Sequence, residues 1–116
     1  MLNKKNSAPT EDQEQITFVN CFRAKYKEIL IFHIPNGEFR HKSTAKKLKT
    51  LGVVSGIPDL FIPEYNLWIE MKRTKGSSTS DKQKEIILYL NSIGHKAVIC
   101  KGYKEAIMAV ESVIGW

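Results

Sequence analysis

Residues 57–72, IPDLFIPEYNLWIEMK, constrain the fold more than any other part of the chain. They contain two short apolar runs separated by a few turn-forming residues, which is the pattern of a β-hairpin. Successive side chains of a strand point to opposite faces of the sheet, and both runs are apolar at successive positions. Strands of this kind lie in the centre of a sheet with structure packed on each side. The stretch therefore predicts two central strands that are covered on both faces.

The segments around the hairpin complete a mixed α/β order. Thr10 and the acidic residues after it predict a helix N-terminus, because a Thr side chain caps the first turn and carboxylates are favourable there. From this point the sequence predicts, in order, a helix to about Lys27, a strand at Ile29–Ile34, a short helix at Ser43–Leu51, the hairpin, a helix from Ser80 or Asp81 to about Ser92, a strand at 95–100 and a helix at Tyr103–Val113. Strands and helices do not alternate strictly. We therefore predict the α/β class, with a mixed central sheet flanked by helices.

Length and composition fit one small globular domain with an excess of positive charge. The chain has 116 residues, of which 42% are hydrophobic and 26% charged, and 18 Lys and Arg against 12 Asp and Glu give a net charge of +6. We expect a flexible tail over residues 1–9 and a single domain over 10–116. The net charge indicates a polyanionic partner, either nucleic acid or an anionic membrane surface.

The same inspection excludes several classes of protein. No apolar stretch approaches the roughly 18–20 residues needed to cross a bilayer, and the basic N-terminus lacks the apolar run of a secretory signal. The two cysteines, Cys21 and Cys100, are far apart in the sequence, which argues against a disulfide framework or a zinc finger. We therefore expect a cytoplasmic protein that is not secreted.

The hairpin also carries three charged residues with the chemistry of a hydrolytic site. Glu70 and Lys72 share one face of the second strand, and a register that places Leu67 opposite Ile62 also places Glu70 opposite Asp59. Two carboxylates beside an ammonium on a buried face are costly unless something binds there. Clustered carboxylates are suited to Mg²⁺, and Lys72 can stabilise charge that develops on a phosphate. The pattern predicts a metal-dependent phosphodiester hydrolase; the alternative is a structural ion cluster.

Polar residues on two helices extend the predicted site. On a helical wheel Glu11 and Gln15 lie on the apolar stripe of the first helix, whereas Glu14 falls beside it. If that helix packs over the sheet, Glu11 reaches the site as an outer metal ligand; otherwise it is an acid that complements the helix dipole. Gln83 lies on the inward stripe of the helix after the hairpin, where it either hydrogen-bonds Lys72 or a phosphate, or extends into water.

Basic residues in two segments are the predicted nucleic-acid contacts. The long connection after the first strand has five basic residues and one acidic residue between positions 38 and 50, and the basic ones are Arg40, Lys42, Lys46, Lys47 and Lys49. A long connection with one-sided charge favours contacts with phosphates over a solvated surface. Arg73 and Lys75 extend the same surface beyond Lys72.

His33 and Asn36 lie at the end of the first strand and are candidates to line the same edge. An HNH-type nuclease built on these two residues and His41 is disfavoured, because the sequence around them does not predict a compact ββα unit.

Five features follow one another along the chain: Glu11-x-x-x-Gln15, FHIPNG, GVVSGIPDLFI, LWIEMK and Gln83. Together they resemble the VRR-NUC family of the PD-(D/E)XK nuclease superfamily. The resemblance covers roughly residues 10–104, with the motifs in the order of the family. It implies a restriction-endonuclease-like α-β-β-β-α-β core and cleavage of DNA that depends on Mg²⁺ or Mn²⁺. The roles it implies are metal ligation by Asp59, Glu70 and the Met71 backbone carbonyl, a helix-borne acid at Glu11, a catalytic lysine at Lys72 and a supporting glutamine at Gln83.

The resemblance also suggests a substrate and an assembly. Stand-alone members of the family, often from bacteriophages, resemble Holliday junction resolvases and act as dimers. We therefore expect a homodimer that acts on branched DNA, with no membrane partner. The candidate dimer surfaces are the exposed side of the first helix and the apolar residues of the last one, Ile107, Val110, Ile114 and Trp116. The alternative function is a non-catalytic basic module that binds nucleic acid.

Overall fold

The computed structural model describes residues 7–35 and 42–115, with the backbone alone at residues 42 and 43. Of the predicted tail, residues 1–6 lie outside the described residues, and residues 7–9 are exposed and belong to no helix or strand. In chain order the described elements are α1 (Glu11–Lys25), β1 (Phe32–His33), α2 (Lys42–Thr50), β2 (Leu60–Ile62), β3 (Leu67–Lys72), α3 (Asp81–Ser92), β4 (Lys96–Lys101) and α4 (Tyr103–Val113). The predicted order of elements is confirmed. No helix in this part of the chain is long and apolar enough to span a membrane.

The four strands form one mixed sheet in the order β1-β2-β3-β4. The first two pairings are antiparallel, and β3 pairs parallel with β4. Ile62 lies opposite Leu67, which confirms the predicted hairpin and its register. A turn of 3-10 helix at Pro63–Tyr65 joins the two strands, and Asn66 closes it with a left-handed backbone, φ 48°. Asn tolerates this conformation because its short amide can hydrogen-bond locally.

The hydrophobic core lies between one face of the sheet and the helices α1 and α4. Leu67, Ile69 and Met71 of β3 are fully buried there. They form one cluster with Phe18 and Phe22 of α1 and with apolar residues of α4. Burying a large apolar side chain contributes about 1.5–3 kcal/mol, so this face is the main source of stability.

The apolar side of α4 faces this core. Val110 is fully buried, and Ile107 and Ile114 pack against the core cluster. Val110 is therefore unavailable to a dimer surface, whereas Ile107 and Ile114 are only half-buried, and a dimer contact at these two residues stays a prediction. Trp116 lies outside the described residues.

The opposite face of β3 carries Glu70 and Lys72, and α3 lies beside it. The side chain of Gln83 bonds both charged residues, and the Asn91 amide bonds the backbone of β4 at Ala97 through both its nitrogen and its oxygen. α3 begins after the N-cap Ser80 and ends at Ser92, as predicted. Of its residues predicted to face inward, Leu90 is buried, whereas Ile86 and Ile87 are half-buried.

Two elements are shorter than the sequence predicts. The first strand was expected at Ile29–Ile34, but β1 pairs with β2 only at Phe32 and His33. β2 itself has three residues, which limits the ladder, and the Ile29 N–H donates to the Tyr26 carbonyl at 3.2 Å in a turn. α1 ends at Lys25, two residues before the predicted end.

Candidate active site and metal centre

Three carboxylates from separate parts of the chain meet in space. Glu11 is in the first turn of α1, Asp59 precedes β2 and Glu70 lies in β3. One carboxylate oxygen of each residue lies within 4.8 Å of the other two. Glu70 is buried, and Glu11 and Asp59 are half-buried. We refer to these three residues as the acidic triad.

The hairpin holds Asp59 by both its side chain and its backbone. β2 begins one residue after Asp59. From the neighbouring strand β3, the Met71 N–H donates to Asp59 Oδ2 at 2.8 Å. The Asp59 carbonyl accepts from the Ile34 N–H at 2.8 Å and lies 2.9 Å from His33 Nδ1. The Asp59 carboxylate therefore has a fixed position at the start of the hairpin.

Glu70 and Lys72 are joined through the side-chain amide of Gln83. The Lys72 ammonium donates to Gln83 Oε1 at 3.0 Å, and Gln83 Nε2 donates to Glu70 Oε2 at 2.9 Å. Lys72 Nζ also lies 3.6 Å from the same Glu70 oxygen. Both charges are almost fully buried, and such a pair is tolerated only when further hydrogen bonds satisfy it. Gln83 therefore fixes a carboxylate and an ammonium relative to each other.

The first turn of α3 explains the orientation of the Gln83 amide. The Ser80 hydroxyl accepts from the Gln83 backbone N–H at 3.1 Å, and Gln83 Oε1 accepts from the Ser80 backbone N–H at 3.0 Å. This reciprocal capping box starts the helix. It also directs the amide oxygen toward Lys72 and leaves the amide nitrogen for Glu70. The residues that cap α3 therefore also organise the site.

Burial raises the pKa of each carboxyl in the acidic triad, and repulsion from neighbouring carboxylates raises it further at Glu70 and Glu11. The pKa of Glu70 is raised to about 8, first because burial disfavours the charged form and then because the Asp59 carboxylate is close. Burial also raises the pKa of Asp59, although the hydrogen bond from the Met71 N–H opposes this effect. For Glu11, burial and then the Asp59 charge raise the pKa. A bound cation stabilises the ionised form of a carboxyl. Carboxyls whose ionised form is destabilised, as here, are therefore stabilised most by a bound cation.

The acidic triad fits a small divalent cation in its donor set and spacing. Mg²⁺ prefers carboxylate oxygens at about 2.0–2.1 Å, so the ligand oxygens of one ion lie at most about 4.2 Å apart. The oxygens of the acidic triad are within 4.8 Å of one another, which is close to that spacing. The predicted ligation by the Met71 carbonyl stays a prediction.

Glu11 and Glu14 share the first turn of α1 but have different surroundings. Glu14 is 4% exposed, and its Oε1 accepts from the Tyr103 backbone N–H at 2.8 Å. The N-cap of α4 is Gly102, which has no side chain to cap the helix, so Glu14 caps it from another element. A Cβ at Gly102 would lie 2.8 Å from Thr74 Cγ2 and 3.4 Å from Glu14 Oε1, so this close packing requires glycine.

The helical wheel placed Glu14 beside the buried stripe, and this prediction is wrong. The buried side of α1 faces α4 as well as the sheet, which widens it to include Glu14. Glu11, placed on the stripe, is half-buried at the acidic triad.

Gln15 and His33 lie beside Asp59. His33 Nδ1 is 2.9 Å from the Asp59 carbonyl and 3.1 Å from the nitrogen of the Gln15 side-chain amide. A carbonyl oxygen only accepts, so Nδ1 bonds it by carrying the imidazole proton. His33 thus supports the backbone at Asp59, and an Nδ1 that carries the proton cannot also accept from the Gln15 nitrogen. Asn36 and His41 lie outside the described residues.

The predicted DNA-binding residues lie on α2 and after β3. Those with described side chains are all exposed: Lys46, Lys47, Lys49, Arg73 and Lys75. Arg40 and the Lys42 side chain lie outside the described part of the chain. Contact of these residues with DNA stays a prediction.

Sequence reasoning missed two features of the site. One is the bond from the Met71 N–H to Asp59, and the other is the cap that Glu14 gives α4. A signal for the second was present, because Glu14, Phe18 and Phe22 are spaced four residues apart and lie on one row of the helix.

Comparison with known proteins completes the description. The sequence matches no protein-family model and no curated protein. A solved structure described as a "VRR_NUC domain protein" is similar to this chain, with a TM-score of 0.76 and 30% sequence identity. The similarity covers 93% of this chain and 90% of the other, and it confirms the predicted fold class. This chain therefore belongs to the VRR_NUC family of nucleases.

Proposed function

We propose that this protein is a metal-dependent endodeoxyribonuclease that hydrolyses phosphodiester bonds. The observation that carries the proposal is the acidic triad beside the ammonium of Lys72. Family membership supports a nuclease-type function. The acidic triad supports a specific way of performing it, in which carboxylates hold a cation and a lysine neutralises charge on the phosphate.

Mg²⁺ or Mn²⁺ is the proposed cofactor. Glu11, Asp59 and Glu70 would hold it, with the Met71 carbonyl as a further candidate ligand. When bound, the cation supplies Lewis acidity toward the scissile phosphate and the attacking water. The repulsion that raises the pKa values of Glu70 and Glu11 supports this assignment, because binding a cation relieves it.

Lys72 is the cationic group that the chain itself contributes to the reaction. An ammonium has three N–H donors, of which one bonds Gln83 Oε1 and a second lies toward Glu70. The third donates to a phosphate oxygen and stabilises the charge that develops on it in the transition state. Because Gln83 already fixes the ammonium, this stabilisation needs no rearrangement during the reaction.

The exposed basic residues are the proposed contacts with the DNA backbone. Each phosphate contact contributes about 0.9 to the slope of log affinity against log salt concentration. Replacing Lys46, Lys47 and Lys49 together by Gln is therefore expected to flatten this dependence, measured by fluorescence anisotropy over a range of salt. An unchanged slope would place the phosphate contacts elsewhere.

Branched DNA of the Holliday junction type is the proposed substrate, and a homodimer is the proposed assembly. Resolution of a four-way junction requires two cuts, and a twofold dimer supplies two equivalent sites. Cleavage of a panel of branched and linear duplexes tests the first proposal, and sedimentation velocity tests the second.

The catalytic proposal is tested with Asp59→Asn and Glu70→Gln. Both variants are expected to lose Mg²⁺-dependent cleavage by about a thousandfold or more, while DNA binding in Ca²⁺ stays within a few-fold of wild type. Glu111→Gln is the matched control, since Glu111 is an exposed carboxylate on α4, and it is expected to cleave normally. If wild type cuts no DNA with Mg²⁺ or Mn²⁺ but still binds it, the alternative of a non-catalytic binding module holds instead.

A further inference from the structure

The parallel strands β3 and β4 end side by side, each in a lysine. Lys72 is the last residue of β3 and Lys101 the last residue of β4, and the register places the two opposite each other. We propose that Lys101 binds the DNA phosphate next to the scissile one, which Lys72 contacts. The inference rests on the proposed nuclease function and adds to it a second phosphate contact, at a residue outside the predicted basic segments.

The side chains of Lys72 and Lys101 leave the sheet on the same face. Residues that lie opposite each other in a parallel pair point to one side, and the two strands are about 4.8 Å apart. The next N–H along the chain, that of Gly102, donates to the Lys72 carbonyl at 2.8 Å. The N–H of Lys101 therefore points away from β3, where it donates to Glu105 Oε1 at 2.8 Å. These two bonds fix the backbone that carries Lys101 beside Lys72.

The two lysines differ in burial and in partners. Lys72 is 8% exposed and bonds Gln83 and Glu70. Lys101 is exposed, and within the described residues its ammonium forms no ion pair with a carboxylate. Like charges directly opposite each other on neighbouring strands are destabilising. An anion that binds at both ammonium groups relieves this repulsion, so the pair favours an anionic ligand over water alone.

Lys101 lies at the end of the sheet where the candidate active site is built. Glu11 of the acidic triad is in the first turn of α1, Gln83 is in the first turn of α3, and α4 begins at Tyr103. Ligands of open α/β sheets bind outside the carboxyl ends of the parallel strands. Lys101 is at such an end, on the side of Lys72 away from β2.

The spacing of the two lysines suits two successive phosphates. The rise of one DNA strand is about 3.4 Å for each nucleotide along the helix axis, which is of the same order as the distance between the two strands. Each ammonium is carried on a flexible four-carbon stem. When a phosphate lies at Lys72, its neighbour in the same DNA strand is therefore within reach of Lys101.

The first test measures DNA binding by fluorescence anisotropy over a range of salt, in Ca²⁺ so that no cleavage occurs. Lys101→Gln is expected to flatten the slope of log affinity against log salt concentration by about 0.9, and Lys101→Arg to keep the wild-type slope. Lys96→Gln is the matched control, because Lys96 is an exposed lysine at the other end of β4 whose ammonium bonds the Ser112 hydroxyl. It is expected to keep the wild-type slope.

The second test locates the contact relative to the cut. A methylphosphonate, which carries no charge, replaces the phosphate on one side or the other of the linkage that wild type cuts. At one of the two positions we expect single-turnover cleavage of subsaturating DNA by wild type and by Lys96→Gln to slow about tenfold. Lys101→Gln should cleave that substrate no more slowly than the unmodified one, since it has already lost the contact.

Two results would overturn the proposal. One is a salt slope that Lys101→Gln leaves unchanged or that Lys96→Gln flattens equally, since the latter would follow from net charge alone. The other is a methylphosphonate that slows Lys101→Gln as much as wild type, because another residue would then hold the neighbouring phosphate.

Failure of the nuclease function reads out separately. It would appear as wild type that cuts no DNA in Mg²⁺ or Mn²⁺, whereas failure of the Lys101 contact would appear as an unchanged salt slope, which is measured without cleavage.

Discussion

β3 buries both of its faces, but the two faces have opposite chemistry. Toward α1 and α4 it presents Leu67, Ile69 and Met71, all fully buried. On the other side it buries Glu70 and Lys72, which are 2% and 8% exposed. The apolar face stabilises the fold by about 1.5–3 kcal/mol for each large side chain. Removing charges from water costs several kcal/mol for each ion before their partners compensate.

The difference separates residues that hold the fold together from residues that we propose to hold a ligand. A buried carboxylate–ammonium pair is often less stabilising than well-packed apolar residues of the same volume. Glu70 also lies within 4.8 Å of two further carboxylates, those of Glu11 and Asp59, which adds repulsion. Stability alone does not explain the charged face of β3, whereas the proposed binding of a cation would.

The largest expected effect is on activity and comes from the charged face. Lys72→Met keeps a side chain of similar length but removes the ammonium, so charge on the scissile phosphate is no longer neutralised. We expect cleavage to fall about a thousandfold, with Mn²⁺ binding retained because the acidic triad is intact. Single-turnover cleavage and Mn²⁺ titration measure the two quantities. Cleavage close to the wild-type rate would remove Lys72 from the mechanism.

The apolar face is expected to show the reverse pattern. Ile69→Ala leaves a cavity in the core and should lower the free energy of unfolding by about 2–5 kcal/mol, measured by urea denaturation. The cleavage rate per folded molecule should stay near that of wild type. A variant that remains as stable as wild type but loses activity would contradict the division between the two faces.

Stability of the metal-free protein should depend on pH through Glu70. Its pKa is raised from 4.5 to about 8 in the folded protein, so the native state retains a proton that the unfolded chain releases. Stability that is present at acidic pH is therefore lost as the pH rises toward about 8. Glu70→Gln cannot ionise, and in EDTA at pH 8.5 it should be more stable than wild type by at least about 1 kcal/mol.

Urea denaturation in EDTA at pH 5.5 and pH 8.5 checks this expectation. The slope of stability against pH should be shallower in Glu70→Gln than in wild type. Equal slopes would mean that Glu70 is ionised in the folded protein over the whole range.

A smaller effect on cleavage is expected at the start of α3, where Gln83 belongs to both the helix cap and the candidate site. Ser80→Ala removes the hydroxyl that caps α3 and should cost about 1 kcal/mol of stability, with little change in cleavage. Gln83→Ala should cost a similar amount of stability and in addition slow cleavage about 10- to 100-fold, because Lys72 and Glu70 lose their common partner. Equal cleavage by the two variants would limit Gln83 to capping.

The hairpin could be predicted because it depends on local sequence. Its register was predicted only as one possibility, in which Ile62 pairs with Leu67 and Glu70 comes toward Asp59, and the structure has that pairing. The start of α3 was also predictable, since the capping side chain of Ser80 lies in the same turn.

Features that depend on packing between distant segments could not be predicted. The burial of Glu14 follows from the contact of α1 with the start of α4, where Tyr103 lies 89 positions away. The shortness of β1 follows from the three-residue length of its partner β2. The bond from Arg23 of α1 to the Ile31 carbonyl requires α1 and β1 to be placed relative to each other, and no local pattern fixes that placement.

The central claim, that the buried carboxylates hold a divalent cation, is tested most directly by Mn²⁺ titration calorimetry at pH 8. We expect wild type and the control Glu111→Gln to bind with equal affinity, and Asp59→Asn to bind at least about tenfold more weakly. Equal Mn²⁺ affinity in Asp59→Asn and wild type would contradict the claim.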